Sequence, residues 1–257
     1  MTDPPSHRGS AGRTVALVTG AGRAREIGSA VCRELAGRGH DIAFTVLPGR
    51  HADAQELVDA LERSGAAVAA IEADLADAAA AAAVLDETGD RLGRTPAVLV
   101  NNAAVSVNGG YGAMDARLLD DHYAVNVRAP VLLSCELARR HPARTPGRIV
   151  CLTSGQSLGP MLDELPYATT KGALEMFVRQ LAPEVMPLGI TVNAVNPGVT
   201  DTGWITDELR PRVLAQMPSG RLGEPEDAAR LIGWLCSDAA GWVTGQVIGS
   251  EGGFVRR

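Results

Sequence analysis

Short apolar runs rich in β-branched residues alternate along this chain with longer segments that have helical spacing. Each apolar run has the composition of a strand that is buried on both faces. The predicted strands are 14–18, 42–46, 68–71, 97–100, 148–152, 190–195 and 246–248. The predicted helices are 29–38, 52–63, 76–85, 115–140, 166–185 and 226–235. This alternation indicates an α/β fold, a doubly wound parallel sheet of about seven strands with helices on both faces.

The alternation continues through the chain without a break that would suggest a domain boundary. A length of 257 residues is enough for one large α/β domain with a substantial core. We therefore predict a single domain over residues 13–257. Residues 1–12 are polar and contain Pro and Gly, which predicts a disordered leader.

Composition narrows the classes of partner. The net charge of −6 and the lack of a basic run argue against nucleic acid. We predict no membrane partner, because no apolar run is long enough to cross a bilayer and no signal-peptide core is present. The four cysteines are too widely spaced to suggest a metal site or a disulfide framework. These features favour a cytoplasmic protein.

Polar or glycine-rich stretches follow five of the predicted strands. In doubly wound sheets, ligands bind beyond the carboxyl ends of the strands, so these stretches should meet in one site. They are residues 19–28 after the first strand, Asp74 after the third, Asn101 after the fourth, Ser154 after the fifth and Asn196-Pro197-Gly198 after the sixth.

The first of these stretches joins a strand, a glycine-rich turn and a helix. Glycines let the backbone approach a phosphate closely, and the N-terminus of a helix supplies free N–H groups and positive dipole character. Gly20 and Gly22 fit the start of a G-x-G-x-x-G motif, but the next glycine is Gly28, so the turn is longer. The stretch predicts a dinucleotide-phosphate site, and a glycine-rich turn without a ligand is the alternative.

Tyr167 and Lys171 lie four residues apart at the start of a predicted helix, so both side chains share one face. A free phenol has a pKa of about 10, which is too high for efficient acid–base work near neutrality. A neighbouring ammonium favours the phenolate, and we therefore expect Lys171 to lower the pKa of Tyr167. Taken alone, such a pair is more often an ordinary surface contact.

Together, these motifs resemble the classical short-chain dehydrogenase/reductase family over residues 14–254. The matching segments are Thr19-Gly20-Ala21, Ile27-Gly28, Asn101-Asn102-Ala103-Ala104, Asn126, Ser154, Tyr167-x-x-x-Lys171 and Asn196-Pro197-Gly198. The resemblance implies a Rossmann-type fold and hydride transfer between nicotinamide and a ketone or secondary alcohol. Two departures stand out: the glycine loop is two residues longer, with Glu26 in place of its middle glycine, and Ala104 replaces a common glycine.

The resemblance implies a role for each of four catalytic residues. Tyr167 would protonate the developing alkoxide during reduction, and Ser154 would hydrogen-bond the same oxygen. Lys171 would hold the nicotinamide ribose hydroxyls and keep the pKa of Tyr167 low. Asn126 would anchor a water that links Lys171 to solvent. The plainer alternatives are a hydroxyl satisfied in a turn for Ser154 and a helix residue bonded to its own backbone for Asn126.

The choice of cofactor depends on the end of the second strand. NAD-selective folds usually place a carboxylate there for the ribose 2′-hydroxyl, and residues 44–50 contain none. Arg23, Arg25 and Arg50 suit a 2′-phosphate, which favours NADP(H); the alternative is that they are solvated loop charges. The implied cofactor-binding residues are Gly20, Gly22, Arg23, Arg25, Ile27, Gly28, Asp74 (for the adenine amino group), Leu75, Asn102, Ala103, Tyr167, Lys171, Pro197, Gly198, Val199 and Thr200.

The resemblance places substrate specificity after the sixth strand, in a predicted lid over residues 199–218, and in residues 156–165. Gln156 and Trp204 are the candidate substrate-binding residues. The apolar side chains of the lid suit a hydrophobic substrate chain, and packing among themselves is the alternative.

Segments 220–227 and 244–253 further resemble bacterial 3-oxoacyl-(acyl-carrier-protein) reductases. The first hypothesis is therefore NADPH-dependent reduction of a 3-oxoacyl or similar carbonyl substrate, including acyl thioesters. An NAD-dependent secondary-alcohol or sugar dehydrogenase is the second hypothesis. A non-catalytic nucleotide-binding regulator is the third. The family also implies a homotetramer that pairs helices 115–140 and 166–185, and the C-terminal strands.

Overall fold

The computed structural model describes residues 12–254 and contains a seven-stranded sheet. The strands are β1 (Thr14–Val18), β2 (His40–Val46), β3 (Val68–Glu72), β4 (Val98–Asn101), β5 (Gly147–Leu152), β6 (Ile190–Asn196) and β7 (Val247–Gly249). They lie in the order β3-β2-β1-β4-β5-β6-β7, and every neighbouring pair is parallel. The predicted fold class is confirmed.

Helices cover both faces of the sheet and bury two separate cores. The helices are α1 (Ile27–Gly37), α2 (Gln55–Arg63), α3 (Ala80–Leu92), α4 (Ala116–Tyr123), α5 (Ala129–Arg140), α6 (Leu165–Val185), α7 (Arg210–Leu214) and α8 (Pro225–Leu235). Along β1, Ala16 and Val18 belong to the core shared with α1, α2 and α8, whereas Leu17 belongs to the core shared with α3, α5 and α6. This alternation is that of a strand buried on both faces.

The alanine-rich helix begins four residues later than its predicted start at residue 76. Asp74 and Asp77 each accept a hydrogen bond from the backbone N–H two residues on, both at 2.9 Å. Such side-chain turns compete with helix formation, so α3 begins only at Ala80. It then runs past the predicted end to Leu92 and stops at Gly93, which has a φ of 72°.

The predicted helical region over residues 115–140 is present as residues 116–140, but it is not α-helical throughout. A π-helical turn, Ala124–Arg128, separates α4 from α5. The side chain of Asp115 caps α4 by accepting from Leu118 N at 2.7 Å. The interruption falls on Asn126, one of the predicted catalytic residues, and single π turns of this kind are common at functional sites.

The predicted lid contains a short helix, α7, that the sequence pattern did not predict. The predicted leader lies outside the described residues, apart from Gly12. Among the described residues, no helix combines the length and apolarity needed to cross a membrane. All four cysteines are free thiols.

Candidate active site

The glycine loop between β1 and α1 packs closely against the end of β4. Gly20 has a φ of 70°, and a Cβ there would lie 2.7 Å from the Cα of Ala103. A Cβ on Gly28 would overlap the carbonyl oxygen of Gly20 and lie 2.6 Å from Asn102 Nδ2. Asn102 Nδ2 donates to the carbonyl oxygens of Thr19 and Gly20, at 3.0 and 2.6 Å. Only glycines fit here, and they form a tight cradle beside the N-terminus of α1.

The lengthened part of the loop forms an exposed turn outside this cradle. Glu26 N donates to Arg23 O, and Arg23 N donates to the Glu26 carboxylate, both at 3.2 Å. Arg23 and Arg25 are exposed, and their guanidinium groups lie 3.8 Å from Glu26 and 3.9 Å from Asp201. The additional residues therefore extend outward, and the cradle keeps its packing.

The cradle fits the phosphates of a dinucleotide. The N–H groups at the start of the loop are used by the protein itself: Gly20 N donates to Thr45 Oγ1, Ala21 N to Thr45 O and Gly22 N to Ser29 Oγ, each at 3.0 Å. The first intrahelical bond of α1 starts at Ala30 N, so the earlier N–H groups of that turn are available to a ligand. Free N–H groups and the helix dipole together favour an anion at this point.

Gly28→Ala is expected to lower the free energy of unfolding by about 2–4 kcal/mol, because no flexible side chain can move out of the way. The clash is with the carbonyl oxygen of Gly20 and the bonded amide of Asn102. Gly37→Ala is the matched control in the same helix, since a Cβ there would meet no atom within 4 Å. Chemical denaturation of both variants measures the difference, and equal stabilities would contradict the close packing.

The predicted adenine and 2′-phosphate groups lie beyond β2 and β3. Arg50 is exposed, and its guanidinium lies 3.1 Å from the carboxylate of Asp53. Asp74 is also exposed and accepts from Ala76 N at 2.9 Å, while Leu75 beside it is buried. An exposed arginine with one exposed carboxylate partner can exchange that partner at little cost in free energy.

The segment after β6 is fixed by its own hydrogen bonds. Gly198 has a φ of 66°, and its N–H donates to Asn196 Oδ1 at 3.0 Å. Asn196 Nδ2 donates to Glu251 at 2.7 Å, and Thr200 Oγ1 donates to Pro197 O at 2.9 Å. The predicted residues 197–200 thus form a rigid turn at the carboxyl end of the sheet.

Tyr167, Lys171 and Ser154 come together at the carboxyl end of β5. Lys171 is buried; its Nζ donates to Leu152 O at 2.7 Å and lies 5.4 Å from the centroid of the Tyr167 ring. The Ser154 hydroxyl donates to the sulfur of Met161 at 3.9 Å, and its interaction with Tyr167 acts to lower the pKa of that phenol. A phenol, a hydroxyl and an ammonium therefore share one half-buried site.

The predicted direction of the Tyr167 pKa shift is wrong for the free protein. Burial raises the pKa of Tyr167 to about 12; the charge of Glu164 adds to this, and the hydrogen bond with Ser154 opposes it. Burial also lowers the pKa of Lys171 to about 8. Desolvation disfavours the charged form of both groups and outweighs the attraction between ammonium and phenolate. At neutral pH the phenol is protonated, which is the form that donates a proton to a carbonyl oxygen.

Asn126 is buried in the π turn, and its side chain reaches other elements rather than its own backbone. Its Oδ1 accepts from Val105 N at 2.7 Å, and its Nδ2 donates to Val105 O at 2.8 Å and to Thr170 Oγ1 at 3.0 Å. Both amide hydrogens are therefore used. The side chain ties the loop after β4 to the helix that carries Tyr167 and Lys171.

The two candidate substrate residues are engaged with the protein. Gln156 Nε2 donates to Glu175 on α6 at 2.6 Å, and Trp204 Nε1 donates to Thr200 O at 2.9 Å. Trp204 is 55% exposed. Other apolar residues of the lid form a cluster with two residues from outside it, Leu222 and Phe254. The lid residues of this cluster are Val199, Ile205, Leu209, Val213, Leu214 and Met217.

Comparison with known proteins extends these observations. A family model described as Enoyl-(Acyl carrier protein) reductase matches residues 20–255. The uncharacterized oxidoreductase YjdA of Bacillus subtilis (strain 168) is 49% identical over 244 residues, which are 94% of this chain and 97% of that protein. The 3-oxoacyl-[acyl-carrier-protein] reductase FabG of Pseudomonas aeruginosa is 35% identical over 249 residues, 93% of this chain and 96% of that protein.

A solved short-chain dehydrogenase/reductase from Serratia marcescens BCRC 10948 superposes with a TM-score of 0.87 at 33% identity, covering 95% of this chain and 99% of that one. This chain belongs to the short-chain dehydrogenase/reductase (SDR) family. The angucycline C-6 ketoreductase LanV, solved with bound NADP, superposes on the SDR chain with a TM-score of 0.86 at 30% identity, covering 93% and 95%. The protein is therefore an oxidoreductase that acts on CH–OH and C=O groups.

The composition of the sequence gives a further reason to single out Lys171 of the predicted catalytic pair. The sequence contains 24 lysine and arginine residues in total, and Lys171 is the only lysine among them. Arginine stays charged at any ordinary pH and presents a planar fork, whereas a buried ammonium is compact and titratable. Arginine occupies every other basic position of the sequence, so the choice of lysine here adds support to the predicted role of Lys171.

Two polar groups of the site carry no recognisable sequence signal. Thr45 Oγ1 accepts from the glycine loop, and Thr170 Oγ1 accepts from Asn126 and donates to Tyr167 O at 2.8 Å. Threonine is common, and neither residue belongs to a motif. Only the packing of β2 beside the loop and of α6 beside the π turn gives these hydroxyls their partners.

Proposed function

We propose that this SDR enzyme reduces a ketone, with NADP(H) as cofactor and a 3-oxoacyl group or a similar carbonyl as substrate. The observation that carries the proposal is geometric: the buried ammonium of Lys171 lies 5.4 Å from the ring centroid of the half-buried Tyr167, beside Ser154 at the carboxyl end of β5. A protonated phenol beside a hydroxyl and an ammonium can donate its proton to a carbonyl oxygen as that oxygen gains charge, which is the proton step of a ketone reduction.

Nicotinamide supplies the hydride when it is bound, and the protein's residues handle the proton and the developing charge. Tyr167 donates its proton to the alkoxide oxygen as that oxygen gains charge. Ser154 hydrogen-bonds the same oxygen, which stabilises charge where it develops. Lys171 holds the ribose hydroxyls and offsets the charge of the phenolate that remains. Asn126 anchors the water that returns a proton towards Lys171.

The cofactor site in this proposal is the glycine cradle with its neighbouring segments. Gly20, Gly22, Ile27 and Gly28 hold the phosphates, and Asp74 and Leu75 hold the adenine. Arginines of the lengthened loop and of the turn after β2 hold the 2′-phosphate. Residues that complete the site are Asn102, Ala103, Pro197, Gly198, Val199 and Thr200. Support for NADP comes from LanV, which was solved with NADP bound.

Arg50→Gln is expected to weaken NADPH binding about tenfold, or about 1.4 kcal/mol, through the loss of one charge-assisted hydrogen bond. NADH lacks the 2′-phosphate, so its affinity should not change. Fluorescence titration of both cofactors measures the effect, with Arg63→Gln at the end of α2 as the control for a lost charge. Wild-type protein that binds NADH more tightly than NADPH would contradict the NADP assignment.

The substrate class is tested by turnover. We expect NADPH oxidation in the presence of a 3-oxoacyl thioester or a bulky ketone, in line with the 3-oxoacyl reductase that is 35% identical. The second candidate, an NAD-dependent secondary-alcohol or sugar dehydrogenase, would instead reduce NAD with alcohols and show no 3-oxoacyl turnover. Tight cofactor binding without turnover of any carbonyl or alcohol would favour the non-catalytic regulator.

Several coarser features complete the proposal. Residues 13–257 form the single catalytic domain, and residues 199–218 form the lid over the substrate, with Gln156 and Trp204 in contact with it. The protein works in the cytoplasm as a homotetramer that pairs the α4–α5 and α6 faces. Exposed apolar residues on those helices, Leu119, Tyr123, Leu165 and Met176, support this pairing. Light scattering in solution measures the mass that decides it.

A further inference from the structure

The loop between β4 and α4 links the cofactor site to the catalytic helix. We define the β4 loop as residues 102–110, which starts at Asn102 and Ala103 beside the glycine cradle. Asn126 holds the loop at Val105 through both of its backbone groups. Near the end of the loop, Gly109 meets the backbone just before α6.

That far end forms a short parallel bridge. Gly109 N donates to Asp163 O at 2.6 Å, and Leu165 N donates to Gly109 O at 3.1 Å. A Cβ on Gly109 would lie 2.7 Å from Leu118 Cδ2, so α4, the loop and the start of α6 are in close contact. Tyr167 lies two residues beyond this bridge. Its position therefore depends on where the loop is held.

His122 holds the middle of the loop. The side chain is 0% exposed, and both ring nitrogens are bonded: Nδ1 to Leu118 O at 2.8 Å and Nε2 to Val107 N at 3.0 Å. A carbonyl oxygen can only accept and a backbone N–H can only donate, so the ring is neutral with its proton on Nδ1. His122 lies one helical turn before Asn126, and the two side chains hold alternate residues of the loop.

We infer that His122 is a positioning residue of the active site, which fixes the β4 loop and through it the start of α6 and Tyr167. This inference rests on the proposed ketone reduction. His122 touches neither the reacting atoms nor the cradle. Without it, Val107 N would be left without its acceptor, and of these two side chains only Asn126 would still hold the loop before the bridge at Gly109.

His122→Leu and His122→Gln test the inference. The leucine variant removes the acceptor, whereas a glutamine amide oxygen can reach the position of Nε2 and accept from Val107 N. We expect His122→Leu to lower kcat about 10- to 100-fold, the effect of a small misplacement at the reacting centre. NADPH binding should change little, and His122→Gln should recover most of the rate.

The matched control is His141→Leu. His141 is also buried, and its Nε2 hydrogen-bonds Thr145 at 3.0 Å in the turn before β5, at the end of the sheet opposite the site. A loss of stability alone should therefore affect both leucine variants alike. Hydrogen exchange provides a second measurement: His122→Leu should speed exchange in residues 105–109 and 163–168, and His141→Leu should not.

The outcomes separate this inference from the proposed function. Equal kcat values and equal exchange for the two leucine variants would overturn the positioning role. Faster exchange at residues 163–168 in His122→Leu alone, with kcat restored in His122→Gln, would support it. If wild-type protein turned over no carbonyl, the proposed function would fail, and the exchange measurement would still decide whether His122 positions the start of α6.

Discussion

Replacing Tyr167 with phenylalanine is expected to lower kcat for ketone reduction by about 10³-fold, within the range attributed to a positioned general acid. The variant removes one oxygen and no packing volume, and the ring keeps its contact with Lys171, whose Nζ lies 5.4 Å from the ring centroid. Cofactor affinity should stay within about twofold, since the phenol acts on the transition state rather than on binding. Single-turnover kinetics and an NADPH titration measure the two quantities.

The chain offers a matched control in Tyr123, one of its three tyrosines. Tyr123 is half exposed at the end of α4, and Tyr123→Phe should leave kcat unchanged. A Tyr167→Phe variant with wild-type turnover would remove the proton donor from the proposed mechanism. Loss of both turnover and cofactor binding would instead indicate that the hydroxyl is needed for the fold of the site.

The architecture of the sheet could be predicted from the sequence because strands buried on both faces are nearly continuous apolar runs. All seven strands lie within two residues of their predicted positions. Helix boundaries were less predictable where polar side chains compete for the backbone. Alanines favour a helix at residue 76, yet the carboxylates of Asp74 and Asp77 accept from the backbone N–H groups two residues on and delay the start of α3 to Ala80.

The π turn could not be predicted for a different reason. Hydrophobic spacing over residues 115–140 satisfies one continuous helix. The interruption at Ala124–Arg128 accompanies bonds from Asn126 to Val105 and Thr170, which are 21 and 44 residues away in sequence. Contacts over such separations leave no local pattern. The same applies to His122, whose ring is bonded to a loop residue 15 positions earlier.

Spacing predicted that Tyr167 and Lys171 share one helix face, and the other motifs of the chain made them the candidate catalytic pair, but neither predicted the electrostatics of the site. A separation of four residues places the side chains of Tyr167 and Lys171 on one face of α6, and this geometry is present. The direction of the pKa shift depends on burial, which the spacing does not give. Lys171 is 2% exposed, so desolvation lowers the pKa of its ammonium, and burial likewise raises the pKa of the Tyr167 phenol.

Burial of the Lys171 ammonium lowers the free energy of unfolding of the protein without cofactor. The Lys171→Met variant is therefore expected to be more stable at pH 7 but nearly inactive. A pKa lowered from 10.5 to about 8 means that the charged form is disfavoured in the folded state. The shift corresponds to about 3 kcal/mol, and the lost hydrogen bond to Leu152 O offsets about 1, so the free energy of unfolding should rise by about 2 kcal/mol. Turnover should fall about 100-fold or more, because the cation no longer offsets the phenolate.

The pH dependence separates this explanation from ordinary repacking. Between about pH 8 and 10.5 the unfolded chain holds more protons at Lys171 than the folded protein, so wild-type stability gains a contribution as pH rises through this window. The methionine variant lacks that contribution, and its stability advantage should disappear near pH 10.5. Denaturation curves across this range measure it. Because Lys171 is the only lysine, isotope labelling of lysine gives a single side-chain signal, and a titration near 10.5 in the folded protein would contradict the stability argument.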